Sequence, residues 1–94
     1  MNMQSTEELL LSGKEALVKK NIERSIELFT EVLKIDPENF SAIFSRGTAY
    51  FLTNKYEEAL DDFTRGISLK PDSSRLYCSR GNTYLALNET DSAL

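Results

Sequence analysis

Cys78 is the single thiol of this 94-residue chain, and no His accompanies it. A nucleophilic thiolate needs a base or a cation to hold it ionised, and only Arg75 and Arg80 lie nearby in sequence. The expected role of Cys78 is therefore that of a small apolar side chain. Lack of His also removes the commonest general base and metal ligand, and every Ser-His or Cys-His arrangement with them. One Cys closes no intramolecular disulfide and builds no Cys-based zinc site. Adjacent acids such as Asp61-Asp62 point in different directions on a helix, so they read as solvated surface charge, not as a metal clasp or an acid-base dyad. Arg46 and Arg80 each precede a glycine and raise the possibility of an anion site. With Glu57, Glu58, Asp61 and Asp62 available, helix-tying surface pairs worth about 0–1 kcal/mol are the expected use of these arginines. No G-x-x-x-x-G-K phosphate loop occurs. The chain reads as non-catalytic, with no cofactor and no metal.

Composition narrows the partners. The length allows one domain with a modest core. Eleven Lys+Arg against 15 Asp+Glu give a formal charge of −4, with both signs mixed along the chain. Without a basic stripe, nucleic-acid binding is not expected. The longest apolar runs, such as Ala49-Tyr50-Phe51-Leu52, are far short of the roughly 20 residues of a membrane span. The N-terminal residues Met1 to Glu8 lack the basic and apolar stretches of a secretory signal, so a cytoplasmic location is the expectation.

The elements that would position any site follow from an internal period of 34 residues. Gly13, Gly47 and Gly81 recur at that interval, as do Phe29 and Phe63, Thr30 and Thr64, Glu23 and Glu57, Pro37 and Pro71, and Ala59 and Ala93. Residues 74–94 laid over 40–60 repeat Ser-Arg-Gly, Tyr84 over Tyr50, Asn88 over Asn54, and Ala93-Leu94 over Ala59-Leu60. Leu9, Leu10, Ala16 and Leu17 have helical spacing, and Ser5 three residues before Glu8 forms a capping-box start. Ile22, Ile26, Phe29 and Leu33 mark a second helix that Asp36-Pro37 ends, because proline bars its predecessor from helical geometry. The short polar joints Lys20-Asn21 and Asn54-Lys55 permit only tight antiparallel reversals. Expected helices are 6–19, 40–53 and 74–87 (A type) and 22–35 and 56–69 (B type). Small residues let A and B helices approach closely, with Gly47 expected opposite Ala59. Phe29 and Phe63 are expected beneath the A helix of the following unit.

This pattern resembles the tetratricopeptide repeat family. Its large residue at the fourth place of each unit is matched by Leu9, Ile43 and Tyr77, and its small eighth place by Gly13, Gly47 and Gly81. Its eleventh-place Tyr is matched by Tyr50 and Tyr84, its twentieth-place Ala by Ala59 and Ala93, its Phe by Phe29 and Phe63, and its Pro by Pro37 and Pro71. Ala16 and Ser25 depart from it in the first unit. The resemblance implies an all-α fold, a right-handed α-solenoid of antiparallel helix pairs. Units at 6–39, 40–73 and 74–94 would follow an N-terminal tail of 1–5, all in one domain. The third unit holds its A helix and only the start of a B helix at 90–94. Tyr77, Tyr84, Leu85 and Leu87 then lack a cover, which raises homo-oligomerisation as an alternative role for the chain.

The family's ligand places imply a groove lined by A helices. They fall here on Glu7, Leu10, Leu11, Lys14, Leu17 and Val18; on Ser41, Phe44, Ser45, Thr48, Phe51 and Leu52; and on Arg75, Cys78, Ser79, Asn82, Leu85 and Ala86. Among these, Leu10, Lys14, Phe44, Ser45, Thr48, Arg75, Cys78 and Asn82 are the candidate peptide-binding residues. Lys14, Thr48 and Asn82 form one equivalent row able to hydrogen-bond an extended backbone. Leu17, Phe51, Leu52 and Leu85 have packing between helices as an alternative use. One chaperone-binding branch of the family grips a terminal carboxylate, and at its matching positions stand Leu10, Lys14, Ser45, Arg75 and Ser79. Only Arg75 keeps the required chemistry in place, so that ligand is not indicated by the match. A protein or peptide partner in the groove is the leading expectation, and its identity is not written in the scaffold.

Overall fold

The computed structural model describes the backbone of residues 5–93 and the side chains of residues 5–89. Five helices follow one another: α1 (Thr6–Val18), α2 (Ile22–Ile35), α3 (Phe40–Leu52), α4 (Tyr56–Leu69) and α5 (Ser74–Ala93). Sequential helices pack on one another, and α1, α3 and α5 are also neighbours along one side of the stack. The result is a layered array with principal extents of 51 × 29 × 18 Å. Expectations for residues 1–4 and Leu94 lie outside the described residues.

Each helix starts and stops where its local chemistry requires. Ser5 Oγ accepts the Glu8 amide at 3.1 Å while Glu8 reaches back to the Ser5 amide at 3.3 Å, closing the expected capping box of α1. Asn39 Oδ1 accepts the Ala42 amide at 3.0 Å and caps α3. The B-type helices α2 and α4 begin at Asn21 and Lys55 without a side-chain cap. Their entry is fixed by the A helices instead. The Asn21 amide donates to the Ala16 carbonyl and the Lys20 amide to that of Leu17, at 2.8 and 3.0 Å, and Lys55 with Tyr50 and Asn54 with Phe51 repeat this at 2.8 and 3.1 Å. Such paired bonds need one left-handed residue per joint. Lys20 (φ 67°) and Asn54 (φ 64°) supply it.

The core is a repeated insertion of a ring over a glycine. Phe29 is fully buried, and a Cβ on Gly13 would come within 2.6 Å of its ring. Phe63 lies over Gly47 in the same way, at 2.7 Å. The glycines therefore seat the phenylalanine of their own helix pair, and the side-chain atoms nearest a Cβ on Gly47 belong to Phe63 and Asp62. Ala59 instead clusters with Phe63 and Leu76 of α5, as Phe29 clusters with Ala42 of α3. Each ring thus also touches the cluster that binds its pair to the next A helix, as the sequence suggests. Size is exchanged across the two inter-pair seams. Val32 and Ala42 share the first, whereas the equivalent Gly66 meets Leu76 in the second, with a Cβ on Gly66 falling 3.1 Å from the leucine methyls.

One expected break is absent. α5 runs from Ser74 to Ala93 as one helix, so residues 90–93 continue it and do not open a second helix. A reversal at Asn88 would require the left-handed backbone that Asn54 adopts, which costs about 1 kcal/mol or more for a residue with a Cβ. At Asn54 the cost is offset by docking Phe63. Intrahelical hydrogen bonding continues by default.

Candidate functional site

The neighbouring A helices frame an open hollow of about 590 Å³. Lys14 and Leu17 of α1, Phe40, Ser41, Phe44, Ser45 and Thr48 of α3, and Lys70, Ser73 and Arg75 at the entry to α5 line it. The wall of α3 is formed because residues 40, 41, 44, 45 and 48 recur on one helical face. Phe40 and Phe44 lie with ring centroids 6.1 Å apart, and Phe44 meets the buried Phe63 edge-on at 6.1 Å, which anchors the floor to the core.

Two of the cations here lie over rings, and among the described residues none is paired with an acid. The Lys70 ammonium lies 4.3 Å from the Phe40 centroid and the Arg75 guanidinium carbon 5.2 Å from that of Phe44. Among the described residues, Lys14, Lys70 and Arg75 pair with no carboxylate; the ion pairs are Arg24–Glu27, Lys34–Glu31 and Arg46–Asp62. Among the described residues, no acidic side chain lines the hollow. In a chain of formal charge −4 this is a local reversal of sign, placed beside apolar rings and hydroxyls.

Of the eight candidate peptide-binding residues, Lys14, Phe44, Ser45, Thr48 and Arg75 come together around this hollow, with Leu17 and Ser41 of the wider set of groove places beside them. Asn82 lines a smaller neighbouring depression of about 80 Å³ with Thr48, Phe51, Phe63 and Ser79. Leu10 packs against the α1–α2 core. Cys78 is exposed rather than buried as a small apolar residue, and it lines neither depression. Sequence reasoning missed Lys70, Ser73 and Phe40. The first two belong to the connection before α5, where a pattern of A-helix places assigns nothing. Phe40 stands four residues before Phe44, a spacing that puts both rings on one face.

Arg46 proves more than a surface tie. Its Nε and Nη2 donate to Asp62 Oδ2 and Oδ1, both at 2.8 Å, and Nη1 donates to Thr30 Oγ1 at 3.2 Å. Asp62 is buried, which corrects its reading as solvated charge, whereas Asp61 is exposed as expected. The hydrogen-bonded Asp62 raises the Arg46 pKa above its ordinary value, against the opposing effect of burial, so the guanidinium stays charged. No buried side-chain nitrogen or oxygen among the described residues lacks a partner. Among the described residues, no group of His, Cys, Asp and Glu is placed to hold a metal ion, and no helix is long and apolar enough to cross a membrane.

Comparison with curated proteins gives no match. Two family models do match, one described as a TPR repeat over residues 47–88 and one as a tetratricopeptide repeat over residues 28–61. Among solved structures, the first TPR of Spaghetti (RPAP3) bound to HSP90 peptide SRMEEVD is similar over 99% of this chain and 74% of its own, with a TM-score of 0.85 and 24% identity. The second TPR of the same protein, bound to the same peptide, has a TM-score of 0.85 at 29% identity over 96% and 83%. The TPR2B domain of yeast Sti1, in a pHsp70 complex, has a TM-score of 0.83 at 28% identity over 94% and 70%. With the helix-pair stack, the glycine-seated rings and these matches together, the chain belongs to the tetratricopeptide repeat family.

Proposed function

We propose that this chain is a non-catalytic interaction module that binds an acidic peptide segment of a partner protein in the hollow between its A helices. The observation that carries this reading is the trio Lys14, Lys70 and Arg75, which among the described residues have no carboxylate partner and surround a hollow lined by no acid. Ligand carboxylates would complete the charge, Ser45 and Thr48 would hydrogen-bond a peptide backbone, and Phe44 would contact an apolar side chain. The SRMEEVD peptide in the RPAP3 complexes has this character, with three acidic residues and an interior Met and Val. Arg75 alone keeps the chemistry of the terminal-carboxylate grip in place, so recognition here would depend on summed charge more than on a fixed clamp.

The test is fluorescence anisotropy with labelled SRMEEVD against its neutral counterpart SRMQQVN. The acidic peptide is expected to bind and the neutral one to lose about tenfold or more, with Arg75→Glu and Lys14→Glu each weakening the acidic peptide by a similar factor. Equal binding of both peptides, or indifference to both substitutions, would reject the reading.

A further inference from the structure

Lys70 and Asp36 stand at equivalent places of the repeat, each closing a B helix one residue before a proline. Their backbones agree, with φ −135° and ψ 81° at Lys70 against φ −134° and ψ 85° at Asp36, because proline keeps its predecessor out of helical geometry. Each amide donates at 2.8 Å to the carbonyl four residues back, that of Gly66 and that of Val32. The scaffold therefore presents this place in the same way at both seams, and only the side chains differ. Asp36 accepts a hydrogen bond from the Asn39 side-chain amide at 3.3 Å. Thr6, Leu10 and Ser41 occupy the places equivalent to Phe40, Phe44 and Arg75, so the first seam has neither the rings nor the cations of the second. At the second seam the exposed Lys70 lays its ammonium over Phe40, whose ring is itself fixed by Phe44 and the α4–α5 core.

We infer that Lys70 is a ligand-binding residue of the hollow and Phe40 its positioning residue, a ring-backed cation supplied by the connection before α5 and not by an A helix. The inference rests on the acidic-peptide reading of the hollow and adds a contact within it. A lysine has a flexible four-carbon stem, and a free one would lose that freedom on meeting a ligand carboxylate. The face of Phe40 confines the ammonium before a ligand arrives. It does so without cancelling the charge, since the ring takes up one side of the ammonium and leaves N–H donors for a carboxylate. An acid at position 40 would also hold Lys70, but it would neutralise it. Arg75 over Phe44 repeats the device one helical turn along α3.

Two measurements on the full chain test this. In the free chain, NMR should show the Lys70 ε-methylene protons shifted upfield by the Phe40 ring, a shift that Phe40→Leu removes and Phe40→Tyr keeps. In anisotropy titrations with labelled SRMEEVD, Lys70→Gln is expected to weaken binding about fivefold. Phe40→Leu is expected to weaken it about two- to tenfold, the cost of ordering a released lysine, while Phe40→Tyr retains it. Made in the Lys70→Gln background, Phe40→Leu should bring no further loss, a coupling that a merely structural role would not produce. An unshifted Lys70 resonance, or an equal loss from Phe40→Leu in both backgrounds, would overturn the positioning role. If the peptide binds and responds to Lys14→Glu and Arg75→Glu but not to Lys70→Gln, the acidic-peptide reading stands and this inference falls. If the wild-type chain does not bind the peptide, both fall.

Discussion

Asp62 and Arg46, from adjacent helices, face each other through two parallel hydrogen bonds of 2.8 Å, and the carboxylate is almost entirely removed from solvent. With Thr30 on the third nitrogen, the guanidinium joins α2, α3 and α4 at one point. The exposed pairs Arg24–Glu27 and Lys34–Glu31 lie within single helices and do no such joining.

Removing one partner should therefore cost far more than a surface pair. Arg46→Ala leaves a buried carboxylate uncompensated, at about 3 kcal/mol, near the lower end for buried pairs because Arg46 keeps some contact with water. Glu27→Ala or Glu31→Ala should change stability by less than about 0.5 kcal/mol. Urea unfolding of the single variants and of Arg46→Ala/Asp62→Ala checks this, with the double variant expected to lose less than the sum.

That pair should bring no pH dependence from its arginine at neutral pH. A raised folded-state pKa gives stability that is complete below the unfolded value and lost only as pH rises through the folded one. For a guanidinium that window lies in strong alkali. If Arg46→Met altered the slope of stability against pH on the alkaline side of neutrality, the assignment would fail.

Glycine to alanine should change sign along the chain. At Gly13 and Gly47 the new methyl would strike the Phe29 and Phe63 rings, a loss of about 1–3 kcal/mol. At Gly81 it would meet open space, and the better helix propensity of alanine should add about 0.5–1 kcal/mol. Thermal unfolding of the three variants reads this directly.

The joints offer a stabilising change. Lys20 sits at φ 67° with an exposed side chain, so Lys20→Gly should gain about 0.5–1 kcal/mol by removing left-handed strain. Asn54→Gly should gain less, since asparagine tolerates that region better. A drop in melting temperature for Lys20→Gly would contradict the account.

Helices were legible because the 34-residue period places Gly, Phe and Pro where a helix pair needs its seat, its ring and its stop. The observed B helices coincide with the expected spans, and α1 and α3 end one residue sooner. Burial of Asp62 was not legible. Adjacency to Asp61 says that the two diverge, but which one meets a cation depends on a residue of the preceding helix. The hollow was partly legible, since seven of its lining residues lie at repeating A-helix places. Lys70 was hidden because its position comes from a connection whose path only packing determines. The exchange of Val32 and Ala42 for Gly66 and Leu76 is readable in principle, but only when both seams are compared.

Gly13 and Phe29, Gly47 and Phe63, and Arg46 and Asp62 are all sixteen residues apart. Closing a loop of that size is inexpensive in chain entropy and takes on the order of 0.1 µs. Each hairpin can therefore zip without waiting for a distant segment, and folding should finish in microseconds to milliseconds, as contact order predicts for local helical topologies.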